Sequence, residues 1–118
     1  MSYTISKTFR FDAAHSLPDL PEDHPCRRLH GHTYHVECRF RAENLDDYGM
    51  VVEYGDLGWI KGWLDSNLDH RHLNEVLDCP TTCEHLSRFL FYAFREGYPS
   101  LVALRVSEGH DTWVEYSE

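Results

Sequence analysis

Two segments of the sequence alternate in side-chain character with a period of two. From His30 to Ala42 one face carries histidine and apolar residues, and the other carries mainly polar and charged residues. From Tyr3 to His15 the even positions as far as Asp12 are polar and the odd positions mainly apolar. Because successive side chains of a β-strand point to opposite faces, each segment predicts a long strand with one buried face. The turn-rich stretch Ser16 to Pro25 predicts a long loop between them.

The second half of the chain predicts two helices and then two more strands. Apolar spacing indicates a first helix that is capped by Asp56 and ends near Asn67. Thr81 and Glu84 have the spacing of a capping box, which predicts the start of a second helix. Its apolar stripe consists of Leu86, Phe89, Leu90, Ala93 and Phe94.

Four further segments complete the prediction. They are a short extended stretch over 50–54, strands over 101–108 and 112–116, and a turn over 109–111. The element order strand, strand, two helices, strand, strand predicts an α+β fold.

Size and charge limit the classes of function. The chain has 118 residues, so we expect residues 1–118 to form one domain. A net charge of −9 repels phosphate backbones, so nucleic acid is not an expected partner. No run approaches the roughly 20 apolar residues of a membrane-spanning helix, and no signal peptide is recognisable, so we expect a cytoplasmic protein without a membrane partner. The four cysteines are expected to be reduced thiols.

Histidines of the two alternating segments indicate a metal site. His30 and His32 are two residues apart, which places both rings on the apolar face of one strand. His15 ends the other strand with the same parity, so strand pairing could bring all three together. Three neutral imidazoles leave an open fourth position, which is typical of catalytic zinc. The alternative is a set of core or loop histidines that bond only to protein groups.

Cys26 and the pair Asp69–His70 are candidates for acid–base chemistry. Cys26 lies four residues before His30, and two arginines follow it. Nearby cations and a metal favour the thiolate form of Cys26. The alternative interpretation is that Cys26 is a small buried residue that behaves as an apolar one. In a loop, Asp69 can orient the His70 ring as an acid or base, and the alternative is a solvated polar loop.

Four segments resemble the 6-pyruvoyl-tetrahydropterin synthase family, in the family's order and over nearly the whole chain. They are Phe11–His15, the C-x3-H-G-H motif of Cys26–His32, Leu68–Asn74, and Glu108 after the penultimate strand. The resemblance implies a tunnelling fold, in which an antiparallel sheet carries two helices on one face and edge strands of neighbouring subunits join into a barrel. It also implies a homohexamer made of two trimers, with active sites at subunit boundaries.

The resemblance implies roles for individual residues. Three match the zinc ligands, namely His15, His30 and His32. Three others match an intersubunit catalytic triad, namely Cys26, Asp69 and His70. Glu108 matches the carboxylate that anchors the pterin, since a carboxylate accepts two parallel hydrogen bonds from the ring donors. Its alternative is a solvated residue at a strand end.

Other substrate contacts are less well defined. Thr82 and Glu84 match a T-x-E segment near the family's pterin pocket, although Glu84 also fits the capping box. The anionic substrate requires cations, and the sequence does not choose among Arg28, Arg27, Lys7, Arg10 and Arg71. The other histidines, His24, His35, His72, His85 and His110, are expected at the surface or in loops.

The interval between Cys26 and His30 distinguishes branches of the family. Its three residues resemble the 6-carboxy-tetrahydropterin synthases of queuosine biosynthesis, whereas the animal biopterin enzymes have a longer interval. The implied reaction converts 7,8-dihydroneopterin triphosphate to 6-carboxy-5,6,7,8-tetrahydropterin and releases acetaldehyde and triphosphate. Two different functions stay open: 6-pyruvoyl-tetrahydropterin synthase activity, which retains the whole carbon chain, and a zinc-stabilised pterin-binding protein without turnover.

Overall fold

The two alternating segments form the longest strands of the fold, β1 (Tyr3–His15) and β2 (His30–Ala42). The computed structural model, which describes residues 1–109 and 111–118, confirms both predictions. The strands are antiparallel and paired along their full length, with Tyr3 opposite Ala42 and His15 opposite His30. The intervening loop is also confirmed and ends in a short 3-10 turn, Pro25–Arg27.

The described residues contain one five-stranded sheet with the order β3-β1-β2-β4-β5. Its remaining strands are β3 (Arg71–His72), β4 (Leu101–Ser107) and β5 (Val114–Ser117). β3 runs parallel to β1, and the other neighbours are antiparallel. The predicted α+β fold is therefore confirmed, but the sheet is mixed rather than wholly antiparallel, because the unpredicted strand β3 pairs in parallel with β1. The two residues of β3 are too few to show a period.

The helices α1 (Gly58–Asn67) and α2 (Cys83–Arg95) form one core with the apolar face of the sheet. The predicted end of α1 at Asn67 is confirmed. Along α2, Leu86, Leu90 and Phe94 are buried as predicted, and Phe91 is buried as well. Neither helix has the length and apolar character needed to span a bilayer, as judged over the described residues.

Two local predictions about the segment before α1 were wrong. Asp56 does not cap α1: it lies inside the 3-10 turn Tyr54–Leu57, where its backbone N–H donates to Glu53 Oε2 (3.2 Å). The stretch over 50–54 forms bends rather than a strand, because its valines pack against the core while the chain turns into that 3-10 segment. The predicted turn over 109–111 includes His110, which lies outside the described residues.

The capping box of α2 is the third wrong prediction. Thr82, and not Thr81, precedes the helix, and its Oγ1 accepts the His85 N–H (3.3 Å). The partner in a capping box stands three residues after the cap, which is position 85 here. Glu84 lies one residue before that position and therefore cannot be the partner. Thr81 is buried, and its hydroxyl is not used in the helix cap.

Candidate active site

Three histidines converge where the β1–β2 ladder ends beside the loop. His15 and His30 are directly opposite each other, and His32 is opposite Ala13 on the same face. One possible ligand atom from each ring lies within 4.8 Å of the other two. The ring centroids of His15 and His30 are 4.6 Å apart, and those of His30 and His32 are 4.9 Å apart. Strand pairing thus assembles the predicted trio.

Backbone carbonyls orient two of these rings. His15 Nδ1 lies 2.9 Å from the Thr81 carbonyl oxygen and 3.0 Å from its Oγ1. His30 Nδ1 lies 2.7 Å from the Arg28 carbonyl oxygen. Because a carbonyl oxygen only accepts, both Nδ1 atoms carry the proton and donate it. In the neutral ring this tautomer leaves the lone pair on Nε2, as in metal-binding histidines whose other nitrogen is held by a protein group.

The Nε2 atoms of His15 and His32 are buried and have no hydrogen-bond partner among the described residues. The His15 side chain is 1% exposed, and burial lowers its pKa, which favours the neutral ring. A buried nitrogen without a partner is costly, and a metal ion would satisfy it. The three histidines could therefore form a metal site, and their chemistry fits a divalent ion.

Glu108 follows β4 and reaches the histidine cluster. Its Oε2 lies 3.6 Å from His32 Nε2 and 4.0 Å from His15 Nε2. Cys83 Sγ, at the start of α2, lies 3.8 Å from the same oxygen. Burial, and then the Glu108 charge, raise the pKa of the Cys83 thiol to about 12. Cys83 is therefore a protonated thiol that donates to the carboxylate.

The predicted pterin-binding residues line one cavity next to Glu108. Thr82, Glu84 and Glu108 all border it, together with Cys83 and Trp113. The cavity lies between the start of α2 and the segment joining β4 to β5. Arg28 does not border this cavity. Its contribution to the site is the backbone carbonyl that holds His30.

Asp69 and His70 lie on another side of the cluster, beside β3. Asp69 Oδ2 accepts from His70 Nδ1 (2.8 Å), and Asp69 Oδ1 accepts from the Asp12 backbone N–H (2.9 Å). The Asp12 N–H, and then His70, lower the Asp69 pKa, while Asp69 raises the His70 pKa. His70 has a positive φ of 59° and is exposed. It borders an open groove that extends to His32 and Arg71.

Cys26 is not joined to this pair within one chain. It lies in the 3-10 turn Pro25–Arg27, where its backbone N–H donates to His24 Nδ1 (3.1 Å). Over residues 1–109 and 111–118, no hydrogen bond or ion pair connects Cys26 with Asp69 or His70. A triad that includes Cys26 therefore requires a second subunit or a different loop position.

A model of the 6-pyruvoyl tetrahydropterin synthase family matches residues 4–118. The chain belongs to this family. The structure of 6-pyruvoyl tetrahydropterin synthase from Caenorhabditis elegans has the same fold, with a TM-score of 0.87, 21% identity, and coverage of 100% of this chain and 96% of that one.

Two relatives of this chain have names that denote different activities. The 6-carboxy-5,6,7,8-tetrahydropterin synthase of Synechocystis sp. is 34% identical over 116 residues, which cover 90% of this chain and 86% of that protein. The dihydroneopterin monophosphate aldolase of Pyrococcus furiosus is 32% identical over 108 residues, which cover 89% of each. Relatives with similar identity therefore include more than one named activity.

Sequence reasoning missed three residues of the site. Thr81, assigned to a helix cap, holds His15. Cys83 contacts Glu108, and no pattern in the sequence indicated this contact. Tyr34 is fully buried, its hydroxyl has no partner among the described residues, and its ring packs against those of His15 and His32. The signal for Tyr34 was its place two residues after His32 on the same strand face.

Proposed function

We propose that this chain is a zinc-dependent 6-carboxy-5,6,7,8-tetrahydropterin synthase of queuosine biosynthesis. The reaction consumes 7,8-dihydroneopterin triphosphate and water, and it releases acetaldehyde and triphosphate. The observation that carries the proposal is the convergence of His15, His30 and His32 next to the cavity that Glu108 borders. The Synechocystis relative supports the choice of product.

The three histidines are the proposed zinc ligands. When bound there, zinc supplies Lewis acidity toward the side-chain oxygens of the substrate. Thr81 and Arg28 hold the His15 and His30 rings through Nδ1, which leaves the Nε2 atoms to face the ion.

Glu108 is the proposed pterin anchor. Its carboxylate accepts two parallel hydrogen bonds from the amino and ring N–H groups of the pterin, and such charge-assisted pairs fix the ring's orientation. Thr82 and Glu84 border the same cavity and are the proposed neighbouring contacts. Arg28 is exposed next to the cluster and is a candidate for the triphosphate.

Asp69, His70 and Cys26 are the proposed proton-transfer groups. Asp69 holds the proton on His70 Nδ1, so Nε2 is the atom that accepts and returns protons. The Cys26 thiol is the second group. Because Cys26 is not joined to His70 in one chain, the proposal includes a homohexamer of two trimers, with the site completed across a subunit boundary. It also includes one domain over residues 1–118 and a cytoplasmic location.

A second candidate function is aldol cleavage of a dihydroneopterin phosphate without loss of triphosphate. The Pyrococcus relative, named a dihydroneopterin monophosphate aldolase, is the observation that favours it. The same metal site and the same acid–base pair would be used, so the substrate's phosphate chain distinguishes the two activities. The 6-pyruvoyl reaction and pterin binding without turnover differ from both in releasing no aldehyde.

Product analysis tests the proposal. Zinc-loaded protein is incubated with 7,8-dihydroneopterin triphosphate and, in parallel, with the monophosphate, and products are identified by mass spectrometry. We expect 6-carboxy-5,6,7,8-tetrahydropterin and one acetaldehyde per turnover from the triphosphate only. A pyruvoyl product without acetaldehyde, faster cleavage of the monophosphate, or binding of either compound without turnover would each contradict the proposal and indicate the corresponding function instead.

A further inference from the structure

Glu108 lies next to the histidine cluster as well as next to the cavity proposed for the pterin. The carboxylate oxygen Oε2 is within 4.0 Å of two of the three histidine Nε2 atoms. Both of these nitrogens are buried and lack a hydrogen-bond partner in the described part of the chain. The carboxylate therefore places an oxygen donor beside two of the three rings.

These distances suit a shared metal ion. Zinc binds histidine nitrogen and carboxylate oxygen at about 2.0–2.2 Å, so neighbouring ligand atoms of a tetrahedral ion lie roughly 3.3–3.5 Å apart. The separations of 3.6 and 4.0 Å are close to this spacing. The Glu108 side chain is 42% exposed, so its carboxylate has room to turn toward the ion.

Cys83 holds the carboxylate on this side. Its thiol lies 3.8 Å from Oε2 as a hydrogen-bond donor, and the start of α2 fixes its position. The same carboxylate also borders the cavity proposed for the pterin. Glu108 can therefore turn either toward the histidines or toward the ring donors of a pterin.

We propose that Glu108 is an exchangeable fourth metal ligand, bound through Oε2 in the absence of substrate and released when its carboxylate accepts the pterin N–H groups. The inference rests on the proposed function for both the metal and the pterin. Substrate recognition then frees the fourth coordination position for the substrate's own oxygens. The ion is not left with an exposed water between turnovers.

Cobalt substitution tests this inference. The full chain is loaded with Co²⁺, and its visible absorption spectrum and Co²⁺ affinity are measured for wild type, Glu108→Gln and Glu96→Gln. Glu96 is an exposed glutamate just after α2 and serves as the matched control. For Glu108→Gln we expect the visible Co²⁺ band to shift and the Co²⁺ affinity to fall by at least about tenfold. That is the smallest loss typical of removing an outer-shell partner, so removal of a ligand should cost no less. The control should match wild type.

Neopterin, which lacks phosphate, is the probe for release. Its addition to wild-type Co²⁺ protein should shift the band in the same direction as Glu108→Gln, and it should not shift the band of that variant further. A crystal structure of the zinc protein without pterin should place Glu108 Oε2 about 2.0–2.2 Å from the ion. A water in that position, or superimposable spectra for wild type and Glu108→Gln, would overturn the inference.

The two proposals fail in different ways. If the chain binds Zn²⁺ and produces the carboxy-pterin while Glu108 stays off the ion, only the exchangeable-ligand inference is wrong. If the chain binds neither Zn²⁺ nor Co²⁺, the proposed function and the inference are both wrong.

Discussion

The hydrogen bonds of single residues determine which atoms of the candidate site can react. His15 and His30 donate from Nδ1 to backbone carbonyls, so their Nε2 atoms face the cluster. Asp69 has the corresponding role for His70, with one carboxylate oxygen on the ring and the other on the Asp12 backbone. In each case a neighbouring group selects the tautomer of the histidine.

Replacement of Asp69 should change the titration of His70. The carboxylate raises the His70 pKa, so the ring stays protonated to higher pH in wild type than in Asp69→Asn. We expect the His70 pKa to fall toward its ordinary value in the variant, and any rate that requires the protonated ring to decline at lower pH. NMR titration of the histidine ring signals measures this, with exposed His85 as the internal reference. Equal His70 pKa values in both proteins would contradict the contact.

Removal of the Tyr34 hydroxyl should stabilise the fold. This buried group has no partner among the described residues, and burying an unpaired hydroxyl costs about 1–3 kcal/mol. We expect Tyr34→Phe to raise the free energy of unfolding by about 1 kcal/mol in urea denaturation. The matched control is Tyr98→Phe, which removes a hydroxyl that donates to the Asp56 carbonyl (2.6 Å) and should destabilise. Equal destabilisation by both variants would show that Tyr34 is bonded.

At the scale of elements, long periodic segments were predictable and short local contacts were not. Alternation over thirteen residues set the bounds of β1 and β2, because a one-residue shift would expose the whole apolar face. The start of α2 was misplaced by one residue because two adjacent threonines can each act as a cap. β3, and the positive φ that orients His70, depend on tertiary pairing with β1 and leave no period in the sequence.

The cap of α2 can be tested directly. Thr82 Oγ1 accepts the His85 N–H, and loss of such a cap costs about 1 kcal/mol. We expect Thr82→Ala to lower the free energy of unfolding by that amount, whereas Thr82→Ser keeps the hydroxyl and should remain near wild type. Thermal or urea unfolding compares the three proteins. Equal stability of the alanine variant and wild type would mean that the helix begins elsewhere.

At the scale of the whole molecule, contacts between residues distant in the sequence could be predicted only where two strands pair. The histidine trio followed from two parities and one hairpin-like pairing. The contacts of Glu108 with the cluster and with Cys83 could not be predicted, because they depend on how the end of β4 lies against the start of α2. The link between Cys26 and His70 is not made within a chain, so it remains a proposal about the assembly.

Subunit mixing tests that proposal. Cys26→Ala and His70→Asn should each be inactive as homo-oligomers, because each removes one proposed proton-transfer group from every site. When the two are unfolded together and refolded, random assembly should restore about a quarter of the sites, since each site takes the two residues from different subunits. Activity per chain after refolding is the measurement. Mixtures that stay as inactive as the separate variants would contradict an intersubunit site.

The central claim is that three histidines hold the metal on which turnover depends. The most direct measurement combines metal content per chain with turnover of 7,8-dihydroneopterin triphosphate, for wild type, for the His15→Ala, His30→Ala and His32→Ala variants, and for His85→Ala as the surface control. We predict one zinc per chain in wild type and His85→Ala, with turnover lost on chelation and restored by one equivalent of zinc. The three cluster variants should lose both zinc and turnover. Full turnover in metal-free protein, or one zinc per chain in all three cluster variants, would contradict the claim.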